Sequence, residues 1–253
     1  MRSAALAFPV AAPSGRLLPV WRADRICTSA VHGGDTAEAA RPTGHDALDA
    51  ELPGGGWPVA GLIELLLARP GCGELRLLAP ALAPLTQLWV APPFVPYAPA
   101  LAALGLAPAR LVVATPDDAA DAGWAAEQAL RSGTLGAVLW WQGQTRAATL
   151  SATLRRLHLA AEGGRTPLFA LRPAATRVQA SPAPLRLALE AAGPSRLAVE
   201  VFKRRGPPMA ASLELRLPGP LHRSGHRAAS HAPTPVTRED HAVVCPAPER
   251  AAA

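Results

Sequence analysis

Lysine, aromatic residues and cysteine are all scarce in this sequence of 253 residues. Lys203 is the only lysine, so no lysine at an earlier position is available to a phosphate-binding loop. The three cysteines, Cys27, Cys72 and Cys245, are far apart and form no CxxC pair, which argues against a disulfide framework and against a zinc site. No apolar run reaches the ~20 residues that a membrane helix needs. We therefore expect a cytoplasmic protein without a membrane segment.

Proline, glycine and apolar residues are abundant instead, with 28 prolines, 21 glycines and a hydrophobic fraction of 49%. That fraction is sufficient for the buried core of one α/β domain. The net charge of +6 is concentrated, because residues 149–217 contain eleven basic and four acidic side chains, net +7, whereas residues 1–148 have a net charge of −2. A basic region can mark a face that binds a polyanion, although scattered surface arginines are the commoner explanation.

Between residues 45 and 217, short apolar runs alternate with alanine-rich stretches, which predicts βαβ units and a mainly parallel sheet. The predicted strands are residues 62–66, 88–91, 110–114, 137–141 and 167–171. The predicted helices are residues 75–85, 97–104, 118–131 and 149–161. Asp117 or Asp118 is the expected N-cap of the third helix. Residues 185–190, 197–203 and 211–217 then predict an antiparallel meander at the end of the sheet.

The two ends of the chain lack this alternation. Residues 1–44 have weak periodicity and several proline and glycine breaks, and we predict a mostly irregular leader. Residues 218–253 are rich in proline, histidine and small residues, which predicts a disordered tail. The four histidines and Cys245 of this tail match no zinc-ligand spacing, so no metal site is expected.

The stretch ARPGCGEL, residues 68–75, lies where a phosphate-binding loop would lie, between an apolar run and a helical stretch. A working P-loop reads G-x-x-x-x-G-K-[ST], in which the lysine contacts phosphate and the hydroxyl binds Mg²⁺. Aligning Gly73 with the second glycine of that motif places Ala68 at the first glycine, Glu74 at the lysine and Leu75 at the hydroxyl. Together with Gly71, these residues indicate either a degenerate nucleotide site or a chance glycine turn.

The order of the predicted elements and three stretches of local sequence resemble the RecA-type recombinase core over residues 45–217. The stretches are ALDAELPGGGWPVAGLIELL, ALAALGLAPARLVVATPDDAADAGWAAEQALRSGTLGAVLWWQ and RLAVEVFKRRGPPMAASLEL. Five further blocks occur along the chain in this order: HDALDAELPGGGWP, GELRLLAPALA, WVAPPFVPYAPAL, EQALRSGTLGAVLWW and ASPAPLRLAL. Together these blocks resemble, more closely than the recombinase, the ImuA family of RecA-like accessory proteins of bacterial mutagenic translesion synthesis. The resemblance implies a RecA-like three-layer αβα core whose mainly parallel sheet is extended by the antiparallel meander.

The resemblance also identifies two further positions of the nucleotide site. In the recombinase-type ATPase, a glutamate after the second core strand activates water, and the Walker B aspartate organises the metal. Pro93 and Trp141 stand at these positions, and neither side chain can do this chemistry. Arg69 or Arg76 could replace the missing lysine, but the metal and the base would still be unexplained. The resemblance therefore implies a protein that is not an enzyme and that uses no cofactor.

Trp140 and Trp141 together allow two explanations. The pair could stack on nucleic-acid bases, or it could fill the core at the end of a central strand. Adjacent side chains of a strand point to opposite faces. We therefore predict that one tryptophan is in the core and that the other lies beneath the former nucleotide site.

Basic residues in the last part of the core form a second candidate site. Lys203, Arg204 and Arg205 precede a Gly-Pro-Pro turn, and they indicate either a solvated turn or a contact with nucleic acid or a partner. By resemblance, residues 173–182 occupy the place of a DNA-contacting loop of the recombinase, although the loop is shorter here. The residues predicted to bind DNA or a partner are Arg172, Arg177, Arg186, Lys203, Arg204 and Arg205. No helix-turn-helix, zinc finger or aromatic RNA motif is present, so any DNA binding is expected to be independent of base sequence.

The ImuA resemblance implies a role in SOS-induced translesion synthesis. The implied partners are an ImuB-like homologue of the Y-family polymerases, an error-prone C-family DNA polymerase and the RecA recombinase, with DNA as a further ligand. The alternative is a SulA-like inhibitor of cell division, a related RecA-like fold without ATPase chemistry that binds the tubulin-like division protein. The basic C-terminal half and the 36-residue tail favour the translesion group.

Overall fold

A mostly parallel sheet of eight strands forms the centre of the part of the chain that the structure describes. The computed structural model describes residues 39–143, 147–207, 209 and 211–217. The predicted tail, residues 218–253, lies outside these residues, as does the predicted leader up to residue 38.

The strands are β1 (Ala40–Arg41), β2 (Trp57–Pro58), β3 (Gly61–Leu67), β4 (Gln87–Val90), β5 (Leu111–Ala114), β6 (Ala137–Trp141), β7 (Pro167–Pro173), β8 (Leu185–Gly193), β9 (Arg196–Lys203) and β10 (Leu213–Arg216). The α-helices are α1 (Asp46–Asp49), α2 (Glu74–Leu82), α3 (Ala98–Ala103), α4 (Ala119–Ser132) and α5 (Ala147–Glu162). Short 3-10 helices, Pro108–Arg110 and Ala174–Val178, precede β5 and follow β7. Among the described residues, no helix has both the length and the apolar character needed to cross a membrane.

The strand order of the large sheet is β10-β9-β8-β3-β7-β6-β4-β5. The six strands from β8 to β5 run in one direction, because each neighbouring pair among them is parallel. β9 pairs antiparallel with β8, and β10 pairs antiparallel with β9. The prediction of a mainly parallel sheet that ends in an antiparallel meander is therefore confirmed. β1 and β2 form a separate two-stranded antiparallel sheet.

The burial of each strand reflects its place in the sheet. β3 reads GLIELLL, and all seven of its residues are buried, as expected of a parallel strand with both faces covered. In β9, Leu197, Val199 and Val201 are buried and the residues between them are more exposed. Such alternation is typical of a strand with one face in the core.

Helices pack on both faces of the sheet, an arrangement compatible with a three-layer α/β fold. α2 lies against one face, where Leu77 and Leu78 share a core with Ile63 and Leu65 of β3. α4 and α5 lie against the other face and share a second core with Leu62. Full burial of one such side chain contributes about 1.5–3 kcal/mol. These two cores fix the ends of the strands, where the candidate site lies.

The start of α4 agrees with the sequence prediction. The carboxylate of Asp118 accepts hydrogen bonds from the backbone N–H groups of Ala120 and Asp121, both at 2.8 Å. Asp118 is therefore the N-cap. The helix ends at Gly133, whose φ of 63° is a left-handed conformation that glycine adopts without strain.

Candidate functional site

The glycine loop joins the carboxyl end of β3 to the amino end of α2. β3 ends at Leu67 and α2 begins at Glu74, so the loop lies at the edge of the parallel sheet where α/β folds bind ligands. Gly71 and Gly73 have φ angles of 78° and 129°, which residues with a Cβ atom rarely adopt. These conformations turn the N–H groups of both glycines towards one point.

The carboxylate of Glu74 occupies that point. The N–H group of Gly71 donates to Oε1 at 2.8 Å, and the N–H group of Gly73 donates to Oε2 at 3.0 Å. Glu74 is only 3% exposed, and it is the first residue of α2, where the helix dipole favours a negative charge. The position that aligns with the P-loop lysine therefore holds a buried side chain that binds the loop from within.

This arrangement opposes the binding of phosphate. A phosphate at the loop would compete with the Glu74 carboxylate, because both groups accept hydrogen bonds from the same N–H donors. If the carboxylate stayed in place, the phosphate charge would lie beside it in a site that excludes most water. Repulsion between like charges is strong under those conditions.

The ribbon of β9 and β10 closes the loop from the side. A Cβ atom added at Gly73 would lie 3.2 Å from Leu217 Cδ1 and 3.4 Å from Leu197 Cδ1. Both leucines are buried in the same core. Their side chains therefore fill the space beside the loop, and the close packing fixes its conformation.

One of the two arginines that could replace the P-loop lysine, Arg76, lies beside the loop, because its Nη2 would be 3.4 Å from a Cβ atom added at Gly73. Nη1 of Arg76 donates to the carbonyl oxygen of Pro194 at 3.1 Å. Pro194 lies in the turn between β8 and β9, so this hydrogen bond directs the guanidinium group towards the ribbon. Arg69 is an exposed residue of the loop itself.

Cys72 is a buried residue of the loop, 2% exposed, and its Sγ lies 3.9 Å from the carbonyl oxygen of Leu189. Burial raises the pKa of its thiol to about 12, and the negative charge of Glu74 adds to this effect. A thiol with such a pKa is protonated near neutral pH. Cys72 is therefore a packed loop residue rather than a nucleophile.

Pro93, which the resemblance assigns to the position of the catalytic glutamate, lies away from the glycine loop. It is exposed in the segment that follows β4, and β7 and β6 separate β4 from β3. Three strand spacings correspond to about 14 Å between β3 and β4. The structure therefore does not bring Pro93 next to Glu74.

Trp141, which the resemblance assigns to the position of the Walker B aspartate, is a core residue at the end of β6. It is buried and packs against Trp89, with ring centroids 5.5 Å apart. Trp140 belongs to the core beneath α4 and α5, whereas Trp141 belongs to the core beneath α2. The predicted placement of the two tryptophans on opposite faces is confirmed. Both are buried, so neither offers an open stacking platform.

A buried ion cluster lies on the face of β3 that also carries Leu62, and sequence reasoning missed it. Glu64 is fully buried, and its Oε1 and Oε2 accept hydrogen bonds from Nη1 of Arg172 and Nε of Arg186, each at 2.7 Å. Arg172 and Arg186 are only 1% and 6% exposed. A buried carboxylate needs such partners, because an unpaired charge in the interior is very unfavourable.

This geometry corrects the prediction for two of the six basic residues. Arg172 and Arg186 were expected to contribute to a surface that binds DNA or a partner. Their guanidinium groups instead face Glu64 inside the protein, because a charge in the centre of the sheet must be neutralised there. Burial lowers the pKa of Arg172, and the Glu64 carboxylate opposes that effect.

The ion cluster also holds the segment that follows β7. Its arginines donate to the carbonyl oxygen of Thr176 at 3.2 Å and to Oε1 of Gln179 at 3.0 Å. The hydroxyl of Ser181 donates to Oε1 of Glu64 at 2.5 Å. The loop that corresponds by resemblance to a DNA-contacting loop is therefore fixed against the sheet.

Arg177 lies on the surface and binds a residue of β9. Its two terminal nitrogens donate to the two carboxylate oxygens of Glu200, both at 2.6 Å. This hydrogen bonding lowers the pKa of Glu200. The Cζ atom of Arg177 also lies 4.5 Å from the ring centroid of Phe202, within cation–π distance.

Lys203, Arg204 and Arg205 do not form one continuous basic surface. Nζ of Lys203 donates to the carbonyl oxygen of Ser181 at 2.9 Å. The side chain of Arg204 is 11% exposed, and its Nη1 lies 2.7 Å from Oε2 of Glu51 and donates to the carbonyl oxygen of Glu51. Arg204 therefore anchors the segment after α1, whereas Lys203 and Arg205 are exposed.

Side chains that could bind a metal do not converge in the part of the chain that the structure describes. No group of three or more His, Cys, Asp or Glu side chains is placed there to hold a metal ion. The four histidines of the tail lie outside the described residues.

The chain matches no protein-family model and no curated protein sequence. Its membership of a family is therefore a proposal. That proposal rests on the resemblance of the sequence blocks quoted above.

Proposed function

We propose that this protein is a non-catalytic, RecA-like accessory protein of SOS-induced mutagenic translesion DNA synthesis. It acts by binding partner proteins and DNA, and it does not hydrolyse ATP. The observation that carries the non-catalytic part is the position of the Glu74 carboxylate, which accepts hydrogen bonds from Gly71 and Gly73 inside the glycine loop. The resemblance to the ImuA family supplies the biological setting.

The position of the loop in the sheet supports the RecA-like part of the proposal. The loop follows β3, which lies between β7 and β8 in the interior of the sheet. Phosphate-binding loops of α/β proteins take this position, at the carboxyl end of a parallel strand and the amino end of a helix. A fold of this type that has given up nucleotide would keep the loop and replace its ligand, as Glu74 does.

The residues at the other nucleotide positions also support the proposal that the protein does not hydrolyse ATP. Hydrolysis depends on cations around the phosphates and on a positioned metal and base. Leu75, Pro93 and Trp141 offer neither a metal ligand nor a base, and Glu74 brings a carboxylate to the phosphate position. The protein would then act by binding partners through the surface of this domain.

The partners that fit this role are an ImuB-like homologue of Y-family polymerases, an error-prone C-family polymerase and the RecA recombinase. Lys203 and Arg205 are the candidates for a DNA contact, because both are exposed. Three of the other basic residues bind carboxylates of the same domain instead: Arg172 and Arg186 pair with Glu64, and Arg204 pairs with Glu51.

Titration calorimetry with ATP and Mg²⁺, with and without single-stranded DNA, tests the non-catalytic part on the purified full chain. We expect neither binding nor turnover, whereas a RecA recombinase measured in parallel binds and hydrolyses ATP. Saturable ATP binding by this protein would overturn the proposal, since the Glu74 carboxylate would then not block the loop.

Co-purification tests the proposed partners. We expect the chain to retain the ImuB-like protein and not the tubulin-like division protein. Retention of the division protein alone would instead identify a SulA-like inhibitor.

The DNA contact is tested by the double substitution Lys203→Glu and Arg205→Glu. We expect weaker binding of single-stranded DNA and a salt dependence whose slope falls by about 1.4, since each phosphate contact contributes about 0.7. The matched control is Arg155→Glu with Arg165→Glu, which changes the net charge equally at two other exposed arginines. An equal loss of binding in both double variants would assign the effect to net charge rather than to a contact at Lys203 and Arg205.

A further inference from the structure

Exposed apolar side chains are concentrated at one edge of the sheet. In the described part of the chain, eight large hydrophobic side chains are exposed, and five of them lie on β5 or in the segment between β4 and α3. These five residues, here named the edge patch, are Phe94, Val95, Tyr97, Val112 and Val113. Phe94, Val95 and Tyr97 are 70%, 92% and 70% exposed. Such a concentration is typical of a surface that a partner covers.

β5 is itself an unprotected edge strand. It is the last strand of the sheet on its side, and no other described strand pairs with its outer edge. Its sequence is LVVA, and Val112 and Val113 are 52% and 39% exposed. Natural edge strands usually carry charges, prolines or bulges that prevent pairing with another chain. The four residues of β5 include none of these, although Pro108 and Pro116 flank the strand, so the outward backbone groups of β5 itself can accept a further strand.

An apolar groove runs beside β5. Its volume is about 430 Å³, and it is lined by Leu111 and Val113 of β5, by Leu101 of α3 and by Phe94 and Val95. No charged side chain lines the groove. Alternate side chains of a strand point to the same face, so apolar residues of an added strand would cover the groove.

The charges that flank β5 define the partner. Arg110, whose Nη1 also donates to the carbonyl oxygen of Pro84, directly precedes the strand, and Asp117 and Asp118 follow it closely. In an antiparallel pair, the start of one strand lies beside the end of the other. Two copies of β5 paired in this way bring Arg110 of each copy near Asp117 of the other, whereas parallel pairing would bring like charges together.

We propose that β5 pairs antiparallel with β5 of a second copy of this chain, so that two edge patches cover each other in a two-fold dimer. Pro108 and Pro116 bracket the strand, and proline donates no backbone hydrogen bond. The shared ladder is therefore short, and burial of apolar side chains supplies most of the affinity. In a two-fold dimer, the same patch of each copy forms the interface. The symmetry also pairs Arg110 of one copy with Asp117 of the other on both sides of the axis.

Sedimentation velocity of the full chain over a hundredfold range of concentration tests this dimer. We expect a species of twice the 26.1 kDa chain mass that dissociates on dilution. Val113→Lys should raise the dissociation constant at least about tenfold, because two buried valines are lost and two lysines are brought together. The matched control is Leu159→Lys on α5, which changes a side chain that is 68% exposed outside the edge patch and should leave the dissociation constant unchanged.

A charge exchange tests the direction of pairing without disturbing the apolar contacts. Arg110→Glu and Asp117→Arg should each weaken the dimer, and the double variant should recover most of the lost affinity, because it exchanges the charges of each pair. A monomer at every concentration would overturn the proposal and leave the edge patch to a different protein. A dimer that Val113→Lys does not weaken, or a double variant no tighter than the single ones, would also overturn it.

Discussion

Replacing Glu74 with alanine is the most direct test of the glycine loop. The substitution removes two hydrogen bonds, of 2.8 and 3.0 Å, and leaves the N–H groups of Gly71 and Gly73 without their acceptor. A hydrogen bond to a charged group contributes about 1.5–3 kcal/mol. We expect the free energy of unfolding to fall by about 3 kcal/mol, since water replaces part of the loss. For a domain of this size the melting temperature should fall by about 6–12 °C.

Calorimetric melting with and without sulfate measures the loss of stability and tests whether it comes from the vacated N–H donors. If the carboxylate occupies an anion position, sulfate should bind Glu74→Ala and stabilise it by about 1.4 kcal/mol at ten times its dissociation constant. The matched control is Glu190→Ala, which removes an exposed glutamate of β8 and should change stability by less than about 0.5 kcal/mol. The reasoning is refuted if Glu74→Ala melts within about 1 °C of the unchanged protein, or if sulfate stabilises both proteins equally.

Two further substitutions examine the buried groups. In a urea titration, Glu64→Gln should lower the free energy of unfolding by about 3–5 kcal/mol, because Arg172 and Arg186 lose their carboxylate partner in the cluster. The control is Glu214→Gln, which removes a half-exposed ion pair and should lower the free energy of unfolding by less than about 1 kcal/mol. Similar losses in the two variants would contradict the role given to the cluster. Folding raises the pKa of Cys72 from 9.0 to about 12, so the unfolded chain releases this proton first and stability is lost as the pH rises from 9 towards 12. Between pH 8 and pH 10, the free energy of unfolding of the wild-type protein should therefore fall by about 1.4 kcal/mol relative to that of Cys72→Ala. If the difference in stability between the two proteins stayed constant over this range, the thiol would not be shielded by burial.

The sequence was sufficient to predict the large sheet because its strands and helices have strong patterns. The run GLIELLL predicts a buried strand, and β3 occupies the interior of the sheet. Alanine-rich stretches between the apolar runs predict the crossover helices, and Asp117 or Asp118 was the expected start of α4, of which Asp118 is the N-cap. The small sheet of β1 and β2 was not predicted, because strands of two residues are too short to show a period.

The ion cluster could be predicted only in part. A glutamate within an otherwise apolar central strand signals a buried charge, and a buried charge requires a partner. The partners of Glu64 lie 108 and 122 residues away in the chain, and no local pattern distinguishes Arg172 and Arg186 from exposed arginines. Their position follows from the parallel register of β3 with β7 and β8, which only the folded sheet defines.

Glu74 explains how the glycine loop can fold without a bound ligand. Buried backbone N–H groups need an acceptor, and in a working site the nucleotide or water provides it. Here the carboxylate of Glu74 provides it, so the loop folds without a ligand. Placing lysine at this position would remove that acceptor while Leu75 still offered no hydroxyl for a metal. Glu74→Lys should therefore destabilise the loop without creating an ATPase.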